Sequence, residues 1–150
     1  MNEFSLHILD IVQNSAKASA AHVVIKVNED ALNNIFSFSI SDDGVGMSAE
    51  RLEFVRARME SVRKPGPDAS RSERDTRHGQ KGFGLWLLRR YCDNCGGWLT
   101  LESMPGAGTR VSGALRYDSP NRLPMGDIEA TLRLLRHMYP TLHVSYLYYD

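Results

Sequence analysis

The stretch DIVQNSAKA, residues Asp10 to Ala18, lies in a segment that predicts a helix with two chemically different faces. Between Glu3 and Ala18 the apolar residues recur at helical spacing, which is typical of an amphipathic helix. The predicted apolar positions are Leu6, Leu9, Val12 and Ala16. The opposite stripe is polar, because its members also follow one another at intervals of a helical turn. These polar residues are His7, Asp10, Asn14 and Lys17.

Asp10 and Asn14 are one helical turn apart on this polar stripe. A carboxylate and an amide placed in this way can share a hydrated Mg²⁺ or position an attacking water, because hard cations take oxygen ligands. The alternative is an ordinary solvated helix face. His7 is interpreted as a residue that packs in the core or that supports a neighbouring site residue.

A second motif, SDDGVGM, spans Ser41 to Met47 and directly follows a predicted strand. Glycines at positions 44 and 46 allow the backbone to turn sharply and to approach a ligand closely. Asp42, at the strand end, offers a fixed acceptor for an amino group. The alternative is a simple turn, which Asp-Gly pairs often form.

A third motif, GQKGFGL, spans Gly79 to Leu85 and leads into a predicted helix. Backbone N–H groups at a glycine-rich helix start form an anion site suited to phosphates, and Lys81 adds a positive charge there. The motif is neither GxGxxG nor the GxxxxGK[ST] P-loop.

The remaining elements predict the fold class. HVVIKV and IFSFSIS indicate two neighbouring strands, and WLTLESM and GTRVSGALRY indicate a hairpin around PGAG. A short helix-like piece precedes the polar stretch at 64–80, a helix is predicted from Phe83 to Cys95, and a last helix and strand follow Pro124. Together they predict a two-layer α/β sandwich with a mixed, mostly antiparallel sheet covered by helices on one face.

Composition excludes several classes of protein. The formal net charge of the 150 residues is +0, which disfavours nucleic acid and anionic membranes as partners. The chain shows neither a secretory signal nor a membrane-spanning run. Its two cysteines, Cys92 and Cys95, are not a disulfide framework and are too few for a structural zinc, so a packing role and a reducing cytoplasm are expected.

The three motifs, in this order, resemble those of the Bergerat-fold ATPases, the GHKL superfamily of DNA gyrase, histidine kinases and mismatch-repair proteins. DIVQNSAKA is similar to the N box, SDDGVGM to the G1 box and GQKGFGL to the G2 box of that family. GAGTRV resembles the Gly-Thr strand that closes the fold. The resemblance extends from Leu6 to about Leu115.

The resemblance implies a role for each matching residue. Asn14 would coordinate the Mg²⁺ that bridges the ATP phosphates, and Asp42 would accept a hydrogen bond from the adenine amino group. Thr109 would buttress Asp42. The base pocket would be lined by Gly44, Gly46 and Met47. The phosphates would receive amides from Gly82, Phe83, Gly84 and Leu85, together with the charges of Lys17 and Lys81.

The resemblance also implies a domain plan. Residues 1–118 would form the ATP-binding domain, and residues 119–150 an extension packed on it. Residues 48–80 would form a mobile lid. Nine of the eighteen Lys and Arg residues, against five acidic ones, lie between Arg51 and Lys81, which suits a triphosphate, although a solvated loop is the alternative.

The use of ATP stays open between two hypotheses. Asp10 occupies the position of the glutamate that activates water in hydrolysing members, but it is one methylene shorter, whereas Lys17 matches a lysine of histidine kinases. One hypothesis is a protein kinase or weak ATPase with Asp10 as the catalytic residue, and the other is a nucleotide-gated binding module without turnover. In the first hypothesis the phosphate goes to a partner protein or slowly to water, and in the second the partner is a protein that binds only when ATP is bound.

The resemblance further implies a small stand-alone member. The N box begins within the first helix, leaving no room for the helical hairpin that carries a phosphoacceptor. Anti-sigma factor kinases are such small members, and PMGDIEATLRLL is similar to a segment of small proteins encoded near iron hydrogenases. The C-terminal stripe of Ile128, Leu132, Leu135 and Met138 is predicted to cover the domain's own sheet. In the alternative, the C-terminal segment is a docking element, and the tyrosine-rich last strand is the pairing edge of a homodimer.

Overall fold

The computed structural model describes residues 2–63 and 83–150. These ranges contain four helices and five strands. The helices are α1 (Phe4–Lys17), α2 (Ala49–Met59), α3 (Phe83–Asn94) and α4 (Ile128–Met138). The strands are β1 (His22–Asp30), β2 (Ile35–Asp42), β3 (Trp98–Met104), β4 (Gly108–Arg116) and β5 (His143–Tyr149).

The five strands form one sheet in the order β3-β4-β2-β1-β5. Three pairings are antiparallel, and the pairing of β1 with β5 is parallel. Over most of each inner strand every second residue is buried, because alternate side chains point to opposite faces. The helices supply the rest of the same hydrophobic core, so they cover this buried face. The predicted sandwich with a mixed, mostly antiparallel sheet is confirmed.

The predicted orientation of α1 is partly wrong. Leu6 is 39% exposed, whereas His7, predicted on the polar stripe, is 3% exposed. The side chains that α1 buries are Phe4, Ser5, His7, Ile8, Ile11, Val12 and Ser15. Two apolar repeats with helical spacing overlap in this segment, and the one that begins at Phe4 carries the larger side chains. It therefore buries more apolar area, and the ring of Phe4 packs 5.2 Å from that of Phe36.

Helix α3 begins and ends close to the predicted residues. Leu85, Leu88 and Tyr91 are buried on one side, as predicted. The helix ends at Asn94, and Gly96 follows with a φ of 72°. The imidazole of His7 stacks on the ring of Tyr91 at 5.9 Å, which joins α1 to α3 and agrees with the packing role.

The C-terminal segment fixes the start of α1. The backbone N–H groups of Phe4 and Ser5 donate to the carbonyls of Pro124 and Met125, both at 2.9 Å, so two donors of the first helical turn are satisfied. Helix α4 packs on α1 and buries Leu132 and Leu135. Met138, predicted in the same apolar stripe, is 41% exposed because it lies in the last turn of the helix.

Two parts of the predicted domain plan stay predictions. The proposed lid at 48–80 begins as α2, and its part from residue 64 onward lies outside the described residues. The boundary between 118 and 119 is not tested by the packing of α4 and β5, since both contact the rest of the chain.

Candidate functional site

A cavity opens between α1, the sheet and α3, with an empty volume of about 420 Å³ that includes open solvent. Its wall is mainly apolar, with a few polar groups, as in many small-molecule sites. The lining residues are Ile11, Asn14, Ser15, Ala18, Ile40, Asp42, Met47, Leu85, Leu101, Thr109 and Val111. The cavity therefore brings together residues from all three sequence motifs and from the predicted closing strand.

The carboxylate of Asp42 is held from three directions. Its Oδ1 accepts hydrogen bonds from the backbone N–H of Gly44 at 2.9 Å and from that of Thr109 at 3.2 Å. Its Oδ2 accepts from the hydroxyl of Ser15 at 2.6 Å. Asp42 lies at the end of β2, Thr109 in β4 and Ser15 in α1. The carboxylate is therefore fixed where the sheet meets α1.

The loop after β2, residues 43–48, is anchored on both sides. The N–H of Val45 donates to the carbonyl of Ala18 at 2.9 Å, and the N–H of Met47 donates to the hydroxyl of Ser103 at 2.9 Å. Gly46 has a φ of 72°, and a Cβ built there would lie 1.9 Å from the carbonyl oxygen of Met104. Glycine is therefore required at position 46 both by its backbone conformation and by the close approach of β3.

The first turn of α3 lies directly against Asp10. A Cβ at position 84 would be 1.8 Å from Oδ2 of Asp10, so Gly84 allows the helix start to meet this carboxylate. Leu85 follows and lines the cavity. Phe83 is the first residue of α3, and Lys81 and Gly82 lie outside the described residues.

The electrostatics of Asp10 follow from its position between α1 and α3. Burial raises the pKa of Asp10, and the positive charge of Lys17 acts in the opposite direction. Lys17 itself is exposed in the last turn of α1, whereas Asn14 is half-buried and faces the cavity. Asp10 of α1 is thus a poorly solvated carboxylate that lies against Gly84 in the first turn of α3.

The predicted site residues divide into three groups, of which one, Lys81 and Gly82 with the side chain of Phe83, lies outside what the structure describes. Asn14, Asp42, Met47, Leu85 and Thr109 line one cavity. Those that support or adjoin it are Asp10, Lys17, Gly44, Gly46 and Gly84.

Sequence reasoning missed two serines in this region. Ser15 bonds to Asp42, and the hydroxyl of Ser103 lies 2.9 Å from that of Thr109. A signal for Ser15 was present, because it continues the buried repeat of Ile8, Ile11 and Val12, where a hydroxyl needs a partner. Ser103 carried no such signal.

Comparison with known proteins agrees with this geometry. The family described as histidine kinase-, DNA gyrase B- and HSP90-like ATPase matches residues 3–119. The chain belongs to this family. The described part of this GHKL member is therefore an ATP-binding, kinase-like domain.

Curated relatives of this GHKL domain include histidine kinases and a sensor protein. It is 30% identical over 105 residues to the histidine protein kinase DivJ of Caulobacter vibrioides, covering 70% of this chain and 16% of that protein. It is 28% identical over 127 residues to the sensor histidine kinase DpiB of Escherichia coli, covering 85% of this chain and 22% of that protein. The sensor protein DegM of a Bacillus species is 24% identical over 120 residues, which are 80% of this chain and 28% of that protein. The chain thus spans less than a third of the length of each.

Three further observations on the ATP-binding domain concern membrane-spanning helices, the cysteines and metal ligands. Within residues 2–63 and 83–150 no helix combines the length and the apolar character needed to cross a bilayer. Cys92 and Cys95 are free and buried, and burial raises the pKa of the Cys92 thiol to about 12. In the same ranges no three His, Cys, Asp or Glu side chains are grouped so that they could hold a metal ion. The cysteine pair therefore packs in the core.

Replacing Asp10 by Asn is expected to stabilise the fold at neutral pH. Because the folded state raises the pKa of Asp10, it binds a proton more readily than the unfolded chain, and stability falls as the pH rises past the usual value of 3.8. Asn has no charge to desolvate, so the gain should be on the order of 1 kcal/mol. Urea denaturation of both proteins at pH 7 and at pH 4 measures it. A gain that is as large at pH 4 would contradict this explanation.

Proposed function

We propose that this domain binds Mg²⁺–ATP in the cavity and acts as a kinase-like component of a signalling system or as a weak ATPase. The observation that carries the proposal is the meeting of Asn14, Asp42, Met47, Leu85 and Thr109, from separate parts of the chain, around one cavity. The proposal takes the ATP-binding function of the family and assigns it to named residues.

The adenine end of the proposed site is centred on Asp42. A fixed carboxylate in a largely apolar cavity accepts a hydrogen bond from an exocyclic amino group, and a ligand without that group leaves the acceptor unpaired. Thr109 holds the carboxylate through its backbone N–H. The base is surrounded in this proposal by Gly44, Gly46 and Met47.

The phosphate end of the proposed site lies where α1 meets α3. The first turn of a helix carries unpaired N–H groups and a partial positive charge, which suit phosphate oxygens. Mg²⁺ takes oxygen ligands and keeps several waters, so the side-chain oxygen of Asn14, phosphate oxygens and water form a suitable set. The remaining groups assigned to the phosphates are Lys17, Lys81, Gly82, Phe83, Gly84 and Leu85.

Isothermal titration with ATP and Mg²⁺ tests the proposal. The parent domain should bind, and Asp42→Ala should weaken binding by about ten- to a hundredfold, the usual cost of losing a hydrogen bond to a charged group. Asn14→Ala should weaken binding in the presence of Mg²⁺ more than in its absence. Asp118→Ala and Asn121→Ala are matched controls, because both residues are exposed in the turn after β4. No binding by the parent domain would contradict the proposal.

The choice between turnover and binding alone rests on Asp10. If Asp10 orients a water or an acceptor group, Asp10→Asn should abolish ATP turnover and leave the affinity for ATP unchanged. The second candidate, a nucleotide-gated module, is favoured by the short side chain of Asp10, because a displacement of about one ångström costs on the order of a hundredfold in rate. It requires negligible turnover and a protein partner that is retained only with ATP. Equal retention without ATP would exclude it.

The biological setting is proposed more broadly. The relatives named above are two histidine kinases and a sensor protein, so we propose a protein partner in signal transduction, and a homodimer as the alternative partner. A cytoplasmic location is proposed because both cysteines are free.

A further inference from the structure

The five-stranded sheet has a second face, opposite the one that carries the hydrophobic core. Ile40 of β2 and Val111 of β4 line the cavity of the proposed ATP site. Because alternate residues of a strand point to opposite faces, Ser39 and Ser112 point the other way. A groove with an empty volume of about 650 Å³, which includes open solvent, lies over this second face. We call it the outer groove, and its lining includes Lys26, Ser39, Trp98, Arg110, Ser112 and Tyr149.

The outer groove carries positive charge. Its described lining contains Lys26 of β1 and Arg110 of β4, both exposed, and no Asp or Glu. Neither cation forms an ion pair or a side-chain hydrogen bond with another described residue, not even Arg110 with Glu102, its register partner on β3. Since the whole chain has a formal net charge of +0, this local excess of unpaired cations favours an anionic occupant.

The register of the sheet fixes the spacing of the two cations. Lys26 lies opposite Ser39 and Arg110 lies opposite Ser41, on the two sides of β2. The cations are therefore two strands and two residues apart, which is about 12 Å between their Cα atoms at the usual spacings of a sheet. In an extended chain, residues four positions apart are separated by about 13 Å and point to the same side. An extended segment with two such acidic residues can thus reach both cations at once.

Other groups of the outer groove suit a peptide. Trp98 and Tyr149 lie at opposite ends of one row across the sheet, through Ala114, Ser37 and Asn28, and are 52% and 54% exposed. Exposed aromatic rings of this kind are enriched where proteins bind one another.

The hydroxyls of the groove floor are available to a ligand. Those of Ser37, Ser39 and Ser112 make no side-chain hydrogen bond within the described part of the chain. They can therefore donate to carboxylates or pair with the polar groups of a peptide. A second copy of this chain would bring the same cations against the groove, and the flat surface of a bilayer would leave the serine floor unfilled.

We propose that the outer groove binds an extended acidic segment of a partner protein, with carboxylates four positions apart paired to Lys26 and Arg110. The proposal goes beyond the proposed ATP site, because the groove and the cavity lie on opposite faces of the sheet. Trp98 contacts an apolar side chain of the segment, and the serines bind its polar groups. Because the ion pairs are exposed, binding weakens with added salt.

The test is a titration of the whole chain, labelled with nitrogen-15, followed by amide chemical shifts. The probe is a heptapeptide with glutamates at its second and sixth positions and β-branched residues between them. Amides of β1, β2 and β4 should shift, and the shifts should shrink when NaCl is raised from about 50 mM to about 500 mM. A peptide with glutamines at the same two positions is the control ligand and should bind much more weakly.

Variants of the two cations locate the binding. Lys26→Gln and Arg110→Gln should each raise the Kd of the glutamate peptide about two- to fivefold, the effect of an exposed ion pair, and the double variant about tenfold. Arg133→Gln is the matched control, because it removes the same charge from an exposed position of α4. It should leave the Kd unchanged.

Several outcomes would overturn the proposal. They are a parent chain that does not bind the glutamate peptide, equal binding of the glutamine peptide, and an unchanged Kd in the double variant. Inorganic phosphate that shifts these amides when the peptide does not would make the groove a small-anion site instead. Sedimentation with phosphatidylserine vesicles, without peptide binding, would make it a membrane contact. Failure to bind ATP would contradict the proposed function alone, since the peptide titration contains no nucleotide.

Discussion

Acidification from pH 6.5 to pH 4 is expected to remove roughly 3 kcal/mol of folding free energy through His7 alone. His7 is buried between α1 and α3, and this burial lowers its pKa from 6.5 to about 4. Below pH 6.5 the unfolded chain takes up a proton that the folded imidazole does not accept. Stability is therefore lost as the pH falls through this window. Urea denaturation at closely spaced pH values measures the loss.

His7→Phe isolates the contribution of the imidazole. Phenylalanine keeps a ring against Tyr91 but does not titrate, so the variant should lose roughly 3 kcal/mol less than the parent over the same pH interval. His137→Phe is the control, because His137 is exposed on α4. Parallel stability curves for the parent and His7→Phe would show that acid acts through other groups.

The order of helices and strands was predictable from the sequence because each element carries a local signal. Strand β2 alternates β-branched or aromatic residues with serines from Phe36 onward and ends at Asp42, and α3 ends before two glycines. The face of α1 was less predictable. Leu6 and Phe4 both begin repeats with helical spacing, and only the sheet on which α1 packs decides between them. The T-shaped contacts of Phe4 with Phe36 and Phe38 made that choice.

The candidate site residues that lie within a sequence motif were predictable from the sequence. Contacts between residues that are far apart in the sequence were not. Asp42 stood at a strand end beside glycines, which marks a ligand-facing position. Ser103 reaches Met47 across 56 positions of sequence, so no local pattern announces their hydrogen bond. The contact of Gly84 with Asp10 is of the same kind, since it depends on how α3 docks on α1.

Asp10 and Gly84 are both expected to lower the stability of the fold. A buried carboxylate and a glycine in a first helical turn are both unfavourable choices for a core. A Cβ at position 84 would overlap Oδ2 of Asp10. Glycine is therefore needed for the start of α3 to approach this carboxylate. Such destabilising arrangements are common at active sites, which agrees with the proposed ATP site.

Gly46→Ala is expected to destabilise the domain far more than Gly106→Ala, although both glycines have a positive φ. The φ values are 72° and 76°, so the conformational cost of alanine, about 1 kcal/mol, is common to both positions. At position 46 the added Cβ would lie 1.9 Å from the backbone carbonyl of Met104, whereas at position 106 nothing lies within 4 Å. The overlap at position 46 should add about 3 kcal/mol, because a backbone carbonyl paired in the hairpin cannot move aside without shifting β3.

Gly46→Ala should also disturb the cavity, because Met47 of the loop 43–48 lines it. Relief of the overlap would displace the loop from Met104 and break the bond from Met47 to Ser103, which moves the Met47 wall of the cavity. Gly46→Ala should therefore lose ATP affinity under conditions in which it is still folded, and Gly106→Ala should keep it. Urea denaturation and ATP titration of the two variants measure both effects. Equal destabilisation would mean that β3 yields to the new methyl group, and the loop would then not be held by close packing.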